Sequence, residues 1–313
     1  GGDDGFRLII DGTTVLDGWT ASSYHTRTAS KSLSKTKLHT ITFEYYQLSG
    51  DAMVNLSWQR RNDTKDYLAE YLKSSDLVVA CIGMNSMLEG EGHDRSFDLP
   101  SDDQELLTSV AKAARPTVVV VNSGGAVEMQ SWLQNADAIL WGFYGGQQGG
   151  TALADILFGT TNPSGHLPIT IERAWSENPT YNSYHDPDGD KHVAYSEGIF
   201  VGYRGYDKLN RQVMYPFGYG LSYTTFAIDD VSIGEQQEDG SLEVSCTLTN
   251  TGSRDGAQVV QLYVGRRGDC AVERPLKELR DFQKVFLKSG ESERLTFRLG
   301  TSAFSYYDVD RHD

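Results

Sequence analysis

The sequence predicts a multidomain fold: an α/β sandwich domain, with a mainly parallel sheet and helices on both faces, flanked by two β-rich regions. Three observations support this prediction. The chain has 313 residues, which is too long for one ordinary domain. Its middle part alternates short apolar runs with helical patterns, as βαβ units do. Both ends instead show period-two alternation broken by turn residues, which is typical of antiparallel sheets.

The amino-acid composition of the chain argues against some classes of function. Hydrophobic residues make up 39% and charged residues 23% of the chain, as in globular domains. The net charge of −15, without any cluster of lysine and arginine, argues against a nucleic-acid partner. No run of about 18 apolar residues occurs, so we expect no membrane-spanning helix. The composition does not exclude neutral ligands such as sugars.

The cysteines and histidines show no metal-ligand spacing. We expect Cys81 to be a small buried hydrophobic side chain within a strand, while a pairing of Cys246 with Cys270 stays open. The glycine-rich run 145–150 lacks the lysine of a phosphate loop and does not match G-x-G-x-x-G. We therefore expect no metal ion and no cofactor.

Residues 1–60 are predicted to form β structure. Residues 6–10 and 14–16 flank Asp11-Gly12, a strong hairpin-turn signal. Residues 39–45 and 53–58 are predicted to be two further strands. Because four strands without a second layer are only part of a sandwich, we expect a further portion of the protein to precede this chain.

The middle of the chain is predicted to be a parallel α/β sheet. Strands are predicted at residues 77–83, 117–122 and 138–141, and helices at residues 67–72, 101–114, 127–134 and 149–158. The strands are uninterrupted apolar runs, so we expect both faces of the sheet to be covered. Ser101 and Gln104 have the spacing of a capping box.

The loop after the first of these strands is the leading candidate for a functional site. Residues 88–95 read LEGEGHDR, which places Glu89, Glu91, Asp94 and Arg95 on one loop with two glycines. Ligands of parallel α/β sheets bind at the carboxyl ends of the strands, where this loop starts. A solvated acidic turn is the simplest interpretation of the loop taken alone. A carboxylate on such a flexible loop is also a common way to place a proton donor over a substrate.

From residue 226 the pattern returns to β structure. Residues 242–250, 259–264 and 293–299 alternate as strands, with turn signals at short spacing. This arrangement predicts an immunoglobulin-like or fibronectin-type sandwich.

Several ordered motifs follow the candidate loop. They read GGTALADILFG at 149–159, NPSGHLPIT at 162–170, YSEGIFVGYR at 195–204, YPFGYGLSYT at 215–224, NTG at 250–252, VVQLYV at 259–264 and RPLKEL at 274–279. In order and length this set resembles glycoside hydrolase family 3. The run YGGQQGG at 144–150 departs from the family's Pro-Gly-Gln/Glu-x-Gly-Gly, which predicts an altered loop geometry.

The resemblance implies a domain organisation. Residues 1–60 look like the second part of a protective-antigen-type β-sandwich module, residues 66–225 like the α/β sandwich domain that carries the acid/base loop, and residues 226–313 like a fibronectin type III-like domain. In this family an N-terminal barrel supplies an aspartate nucleophile. That barrel is absent from these 313 residues, so we expect it as a partner.

The resemblance also implies an activity and site residues. We expect part of a retaining β-glucosidase, which hydrolyses terminal non-reducing β-D-glycosyl residues of a β-glycoside or oligosaccharide. Glu91, followed by Gly92 and then Asp94-Arg95 as in the family, is the expected general acid/base, with Glu89 as the alternative. Glu89, Asp94 and Arg95 are the expected substrate-binding residues, and an ion pair between Asp94 and Arg95 is the other role for those two. Glu197 is expected to be a structural residue that either accepts hydrogen bonds or forms an ion pair, with Arg204 as the candidate partner.

Other interpretations stay open at this point. A β-xylosidase or another exo-β-glycosidase of the same family fits the same motifs. A non-catalytic carbohydrate-binding or scaffold fragment is the alternative from another class. A homodimer also stays open. We expect an extracellular or periplasmic location, although no signal peptide is visible in the chain.

Overall fold

The computed structural model divides the chain into two compact units, Gly1–Leu68 and Ala69–Asp313. It describes residues 1–34, 36–48, 52–58, 65–92, 94–186, 189–268 and 272–310, with the backbone alone at 65–67. No helix in these ranges combines the length and the apolar character that a bilayer crossing requires. Cys270 and His93 lie outside the described residues. Cys246 is a free cysteine, so it forms no disulfide and the pairing that the sequence left open is not made.

The first unit contains one antiparallel sheet. Its strands are β1 (Gly5–Ile10), β2 (Thr13–Gly18) and β3 (Ile41–Tyr46), in the order β2-β1-β3. Asp11 and Gly12 join β1 to β2 with φ values of 51° and 76°, as a type I′ hairpin turn requires. The predicted hairpin is therefore confirmed. The assignment of this region to a protective-antigen-type module stays a prediction.

The prediction of a strand at residues 53–58 is wrong. In this segment only Val54 forms a bridge, to Gly2, and no ladder extends along the described residues 52–58. Trp58 is 82% exposed. An alternating pattern makes a strand only where a neighbouring strand and a buried face are present, and this segment has one bridge instead of a ladder.

The second unit begins with the parallel sheet that the sequence predicts. Its strands are β4 (Val78–Gly83), β5 (Thr117–Asn122) and β6 (Ala138–Trp141), in the order β4-β5-β6 and all parallel. The associated helices are α1 (Lys65–Ser74), α2 (Ser101–Ala113) and α3 (Gly149–Leu157). Because the three strands run in one direction, the loops that follow them emerge at one edge of the sheet.

One face of this sheet is closed and part of the other is open. Ala80 and Ile82 of β4 lie in the same core cluster as Leu107 and Val110 of α2. The alternate side chains of β4 point away from that cluster, and there Val79 is 40% exposed and Cys81 is exposed. The predictions of a strand covered on both faces and of a buried Cys81 are therefore wrong for β4. Val79 and Cys81 belong to none of the core clusters of the described residues, so this face of β4 reaches solvent.

Helix α2 starts differently from the predicted capping box. Pro100 is the N-cap, with extended backbone angles, and Ser101 lies inside the first turn. Gln104 instead donates its Nε2 to the Leu99 carbonyl at 2.7 Å. Asp103 accepts the backbone N–H of Gly83 at 2.9 Å, which ties the start of the helix to the end of β4.

The helix predicted at residues 127–134 is largely absent. Only a 3-10 turn, Leu133–Asn135, forms there. The backbone N–H of Glu128 bonds to the Phe97 carbonyl at 2.9 Å, so it does not take part in a helical ladder. Val127 and Met129 are fully buried on either side of it. The apolar spacing of this segment therefore reflects its burial without regular secondary structure.

The end of the chain forms a β-sandwich, as predicted. Its strands are β7 (Phe226–Ile233), β8 (Leu242–Asn250), β9 (Gly256–Gly265), β10 (Lys277–Leu287) and β11 (Ser292–Leu299), in the sheets β11-β8-β7 and β10-β9. Leu248, Val260, Leu287 and Leu295 are buried in one cluster that draws on both sheets. A short helix, α4 (Tyr203–Lys208), precedes the sandwich and was not predicted.

Residues of the ordered motifs fasten the α/β domain to the sandwich. Asn162 donates Nδ2 to the Asp255 carbonyl at 2.9 Å, and its Oδ1 accepts the N–H of Tyr223 at 2.8 Å. The Tyr203 hydroxyl accepts the N–H of Leu279 at 2.9 Å, and the Tyr203 ring stacks on Phe217 at 5.0 Å. These motif residues therefore act as connectors between the domains.

Candidate active site

The acidic loop leaves the carboxyl end of β4 through a tight turn. Asn85 organises this turn: its carbonyl accepts the N–H of Leu88 and Glu89, each at 2.9 Å, and its side chain accepts the N–H of Met87 at 2.9 Å. Gly92 has a φ of 87°, in the left-handed region that favours glycine. The chain thus projects a short tip at Glu91 and Gly92 and then turns back.

Glu91 lies exposed at this tip. Within the described part of the chain its carboxylate takes part in no hydrogen bond or ion pair. It is therefore available to a ligand that approaches the loop.

Glu89, two residues away, is held on both oxygens. Its Oε1 accepts Nε of Arg95 at 3.1 Å, and its Oε2 accepts the N–H of Gly124 at 3.0 Å and the hydroxyl of Tyr144. Burial acts to raise the pKa of Glu89, but the hydrogen bonds from Tyr144 and Gly124 and the positive charge of Arg95 outweigh it, so the net pKa is lowered. Glu89 therefore stays ionised near neutral pH, which disfavours the alternative that it donates a proton.

Arg95 contributes an internal contact, with a different partner from the predicted one. The expected ion pair with Asp94 is wrong, because Arg95 pairs with Glu89. Its Nη2 also donates to the Ala126 carbonyl at 2.6 Å and its Nη1 to the Ser96 carbonyl at 2.9 Å. The side chain is only 17% exposed, so these contacts favour a holding role over sugar binding.

Asp94 faces a different partner, Tyr184. The Tyr184 hydroxyl donates to Oδ1 of Asp94 at 2.5 Å, and this hydrogen bond, with the negative charge of Asp94, raises the pKa of Tyr184. Ser183, the preceding residue, donates its hydroxyl to Glu197 at 2.5 Å. Glu197 is therefore hydrogen-bonded, one of its two expected roles. The ion pair with Arg204 is not formed, because Arg204 lies 3.9 Å from Glu278 instead.

A cavity of about 660 Å³ adjoins the loop. On the loop side it is lined by Glu89, Asp94 and Arg95, and across from them by Trp175, Tyr184 and His185. Gly90 and Gly92 also reach the wall, whereas the Glu91 side chain does not. The structure thus brings three predicted site residues to one cavity and leaves Glu91 beside it.

Sequence reasoning missed the aromatic side of this cavity. The Trp175 ring meets Tyr181 at 5.7 Å and Tyr184 at 5.8 Å, both edge to face. The available signal was the placement of Trp175, Tyr181 and Tyr184 within ten residues of one another. The described residues contain no group of three histidine, cysteine or acidic side chains that could hold a metal ion.

A parallel α/β domain with a carboxylate-bearing loop at its carboxyl edge, joined to a fibronectin-like sandwich, is the arrangement expected for a multidomain protein of the glycosidase class. Two family models match the chain. The "Glycosyl hydrolase family 3 C-terminal domain" model covers residues 8–203, and the "Fibronectin type III-like domain" model covers residues 258–313. The chain belongs to glycoside hydrolase family 3.

Individual relatives agree with this membership. The chain is 37% identical over 324 residues to thermostable beta-glucosidase B of Acetivibrio thermocellus, covering 99% of this chain and 42% of that protein. It is 41% identical over 245 residues to an exo-alpha-(1->6)-L-arabinopyranosidase of Bifidobacterium breve, covering 78% and 32%. Among solved structures, the family 3 beta-glucosidase of Bifidobacterium adolescentis matches with a TM-score of 0.75 and 42% identity, covering 80% and 36%. The chain thus spans well under half the length of these relatives.

Proposed function

We propose that this chain supplies the general acid/base, Glu91, of a retaining β-glucosidase that hydrolyses terminal β-D-glycosyl residues. The observation that carries the proposal is the contrast between two neighbouring carboxylates. Glu89 is ionised and bound on both oxygens, whereas Glu91 is exposed and has no partner within the described residues. A group that must give up and take back a proton has to be accessible to the substrate and to water.

The chemistry assigns Glu91 two successive tasks. In a retaining glycosidase the acid first protonates the leaving-group oxygen while a second carboxylate attacks the anomeric carbon. The same residue, now a base, then takes a proton from the water that releases the sugar. The two carboxyl groups of such enzymes lie about 5–5.5 Å apart. We place the second carboxylate on an N-terminal barrel, as the family resemblance implies.

Substrate binding is the second part of the proposal. Asp94 is exposed and lies on the cavity wall with Tyr184, so we propose that this pair contacts the sugar or its leaving group. The contacts of Glu89 and Arg95 support an indirect role for these two residues. The sugar is proposed to be glucose; an arabinopyranoside is the second candidate, because one relative at 41% identity carries that name. The extracellular or periplasmic location stays a prediction.

Chemical rescue in the complete enzyme tests the role of Glu91. Glu91→Ala is expected to form the glycosyl-enzyme intermediate from an aryl β-glucoside with a good leaving group, because that departure needs little proton assistance. Added azide should then attack the anomeric carbon, displace the enzyme carboxylate and give the β-glucosyl azide, since azide needs no general base. Product analysis by NMR checks this.

Two results would count against the proposal. If Glu91→Ala hydrolysed an alkyl β-glucoside without azide at the wild-type rate, Glu91 would not be the general acid/base. Enzyme-like hydrolysis of an aryl β-glucoside by the 313-residue chain alone would show that no second carboxylate is needed from outside.

A further inference from the structure

Glu89 is the point where the loops that follow all three parallel strands meet. The carboxylate itself lies on the loop after β4. Gly124, which donates its N–H at 3.0 Å, lies two residues after the end of β5. Tyr144, which donates its hydroxyl, lies three residues after the end of β6. A carboxylate has about four lone-pair sites, enough for these two donors and Arg95 at once.

We propose that Glu89 is a positioning residue, which holds the Glu91 tip at a fixed place over the carboxyl edge of the sheet, with Tyr144 and Arg95 as its partners. The proposal rests on the proposed function of Glu91. It assigns a role in the reaction to Tyr144, a residue in the part of the chain that departs from the family motif.

Both ends of the tip are anchored. Glu89 fixes the start of the segment to the loops after β5 and β6, and Arg95 fixes its end through the Ala126 carbonyl at 2.6 Å. Arg95 also links the two ends of the segment to each other, because its Nε donates to Oε1 of Glu89 at 3.1 Å. Only Gly90 separates Glu89 from Glu91, so a shift of the anchor passes directly to the acid/base. A misplacement of about 1 Å at a reacting group can cost about 10²-fold in rate.

Steric fit at Gly124 supports the same role. A Cβ on Gly124 would lie 2.9 Å from Oε1 of Glu89 and 3.5 Å from the Tyr144 ring. A larger residue at position 124 would therefore displace the Glu89 carboxylate from this contact. The Glu89 side chain is only 21% exposed, so it reaches this contact as part of the packed edge of the sheet.

The test uses the complete enzyme with Glu89→Gln, Tyr144→Phe and the double variant. Glu238→Gln and Tyr306→Phe are matched controls on exposed residues of the sandwich domain. The readouts are kcat and KM on an alkyl β-glucoside, together with the pH dependence of kcat/KM. Glu89→Gln is expected to lower kcat by about 10- to 100-fold with little change in KM. Tyr144→Phe should lower kcat by about 3- to 10-fold, as loss of one hydrogen bond to a charged group would.

Two further signatures identify positioning. The alkaline limb of the pH–rate profile should persist in Glu89→Gln, because Glu91 is still present to titrate. The double variant should be slower than Glu89→Gln by no more than about twofold. The two effects are expected to overlap because Glu89→Gln already weakens the hydrogen bond from Tyr144 by removing the charge of its acceptor. Tyr144→Phe removes only a hydroxyl from a ring that is 54% exposed, so it remains informative if Glu89→Gln does not fold.

Three results would overturn the proposal. Wild-type kcat in Glu89→Gln and Tyr144→Phe would show that the contact does not matter. Multiplying effects in the double variant would show that the two residues act separately. Loss of the alkaline limb with azide rescue in Glu89→Gln would make Glu89 the acid/base itself. The first two leave the proposed function intact if azide rescues Glu91→Ala, so the two proposals fail separately.

Discussion

Two glutamates on one loop differ because different groups surround them. Glu89 receives donors from Gly124 and Tyr144, which are 35 and 55 residues away along the chain. Glu91 sits between two glycines at an exposed tip. The two carboxylates therefore differ in their surroundings and in their access to a ligand, which is the basis for proposing different roles for them.

The ionised state of Glu89 predicts a pH-dependent contribution to folding. Because its folded pKa lies below the ordinary value of 4.5, the contribution is fully present above that value and is lost as the pH falls through the folded pKa. Glu89→Gln in this chain should lower the free energy of unfolding by about 1 kcal/mol at pH 7 and by less at pH 3. Urea denaturation measures both values, and Glu238→Gln is the control. An equal loss at the two pH values would contradict the assignment.

At the scale of elements, the sequence pattern predicts a strand well where its own residues form a continuous apolar run or a clean alternation. The strands at 117–122, 138–141 and 242–250 were predicted to the residue. The hairpin at Asp11-Gly12 was also correct, because its turn geometry depends on those two residues. The helix predicted at residues 127–134 was wrong because a buried irregular segment and a helix can share the same apolar spacing. The contact that decides between them, from the N–H of Glu128 to the Phe97 carbonyl, involves another loop.

Strand β4 shows the same limit and gives a test at this scale. Its apolar run predicts a covered strand, yet Cys81 is exposed, whereas Cys246 is buried in the sandwich core, where burial also raises its pKa. Iodoacetamide should therefore label Cys81 in the folded 313-residue chain more than about tenfold faster than Cys246. Peptide mapping by mass spectrometry distinguishes the two. Similar labelling rates before unfolding would show that β4 is covered as the sequence predicted.

At the scale of the whole molecule, the sequence predicted the domain classes and the loop that carries the candidate site. The ordered motifs led to the family, and the structure shows why several are needed: Asn162 and Tyr203 join the α/β domain to the sandwich. The contacts that hold the site in place were not predictable, because Tyr144, Gly124 and Tyr184 reach the loop from segments that no local pattern connects to it.

The proposed acid/base role of Glu91 has its most direct test in the Glu91→Gln variant of the complete enzyme. This variant is assayed on an alkyl β-glucoside and on an aryl β-glucoside with a good leaving group. Turnover of the alkyl glucoside is expected to fall by at least about 100-fold, with a much smaller loss on the aryl glucoside and no alkaline limb in the pH profile. A wild-type rate on the alkyl glucoside would contradict the acid/base role of Glu91.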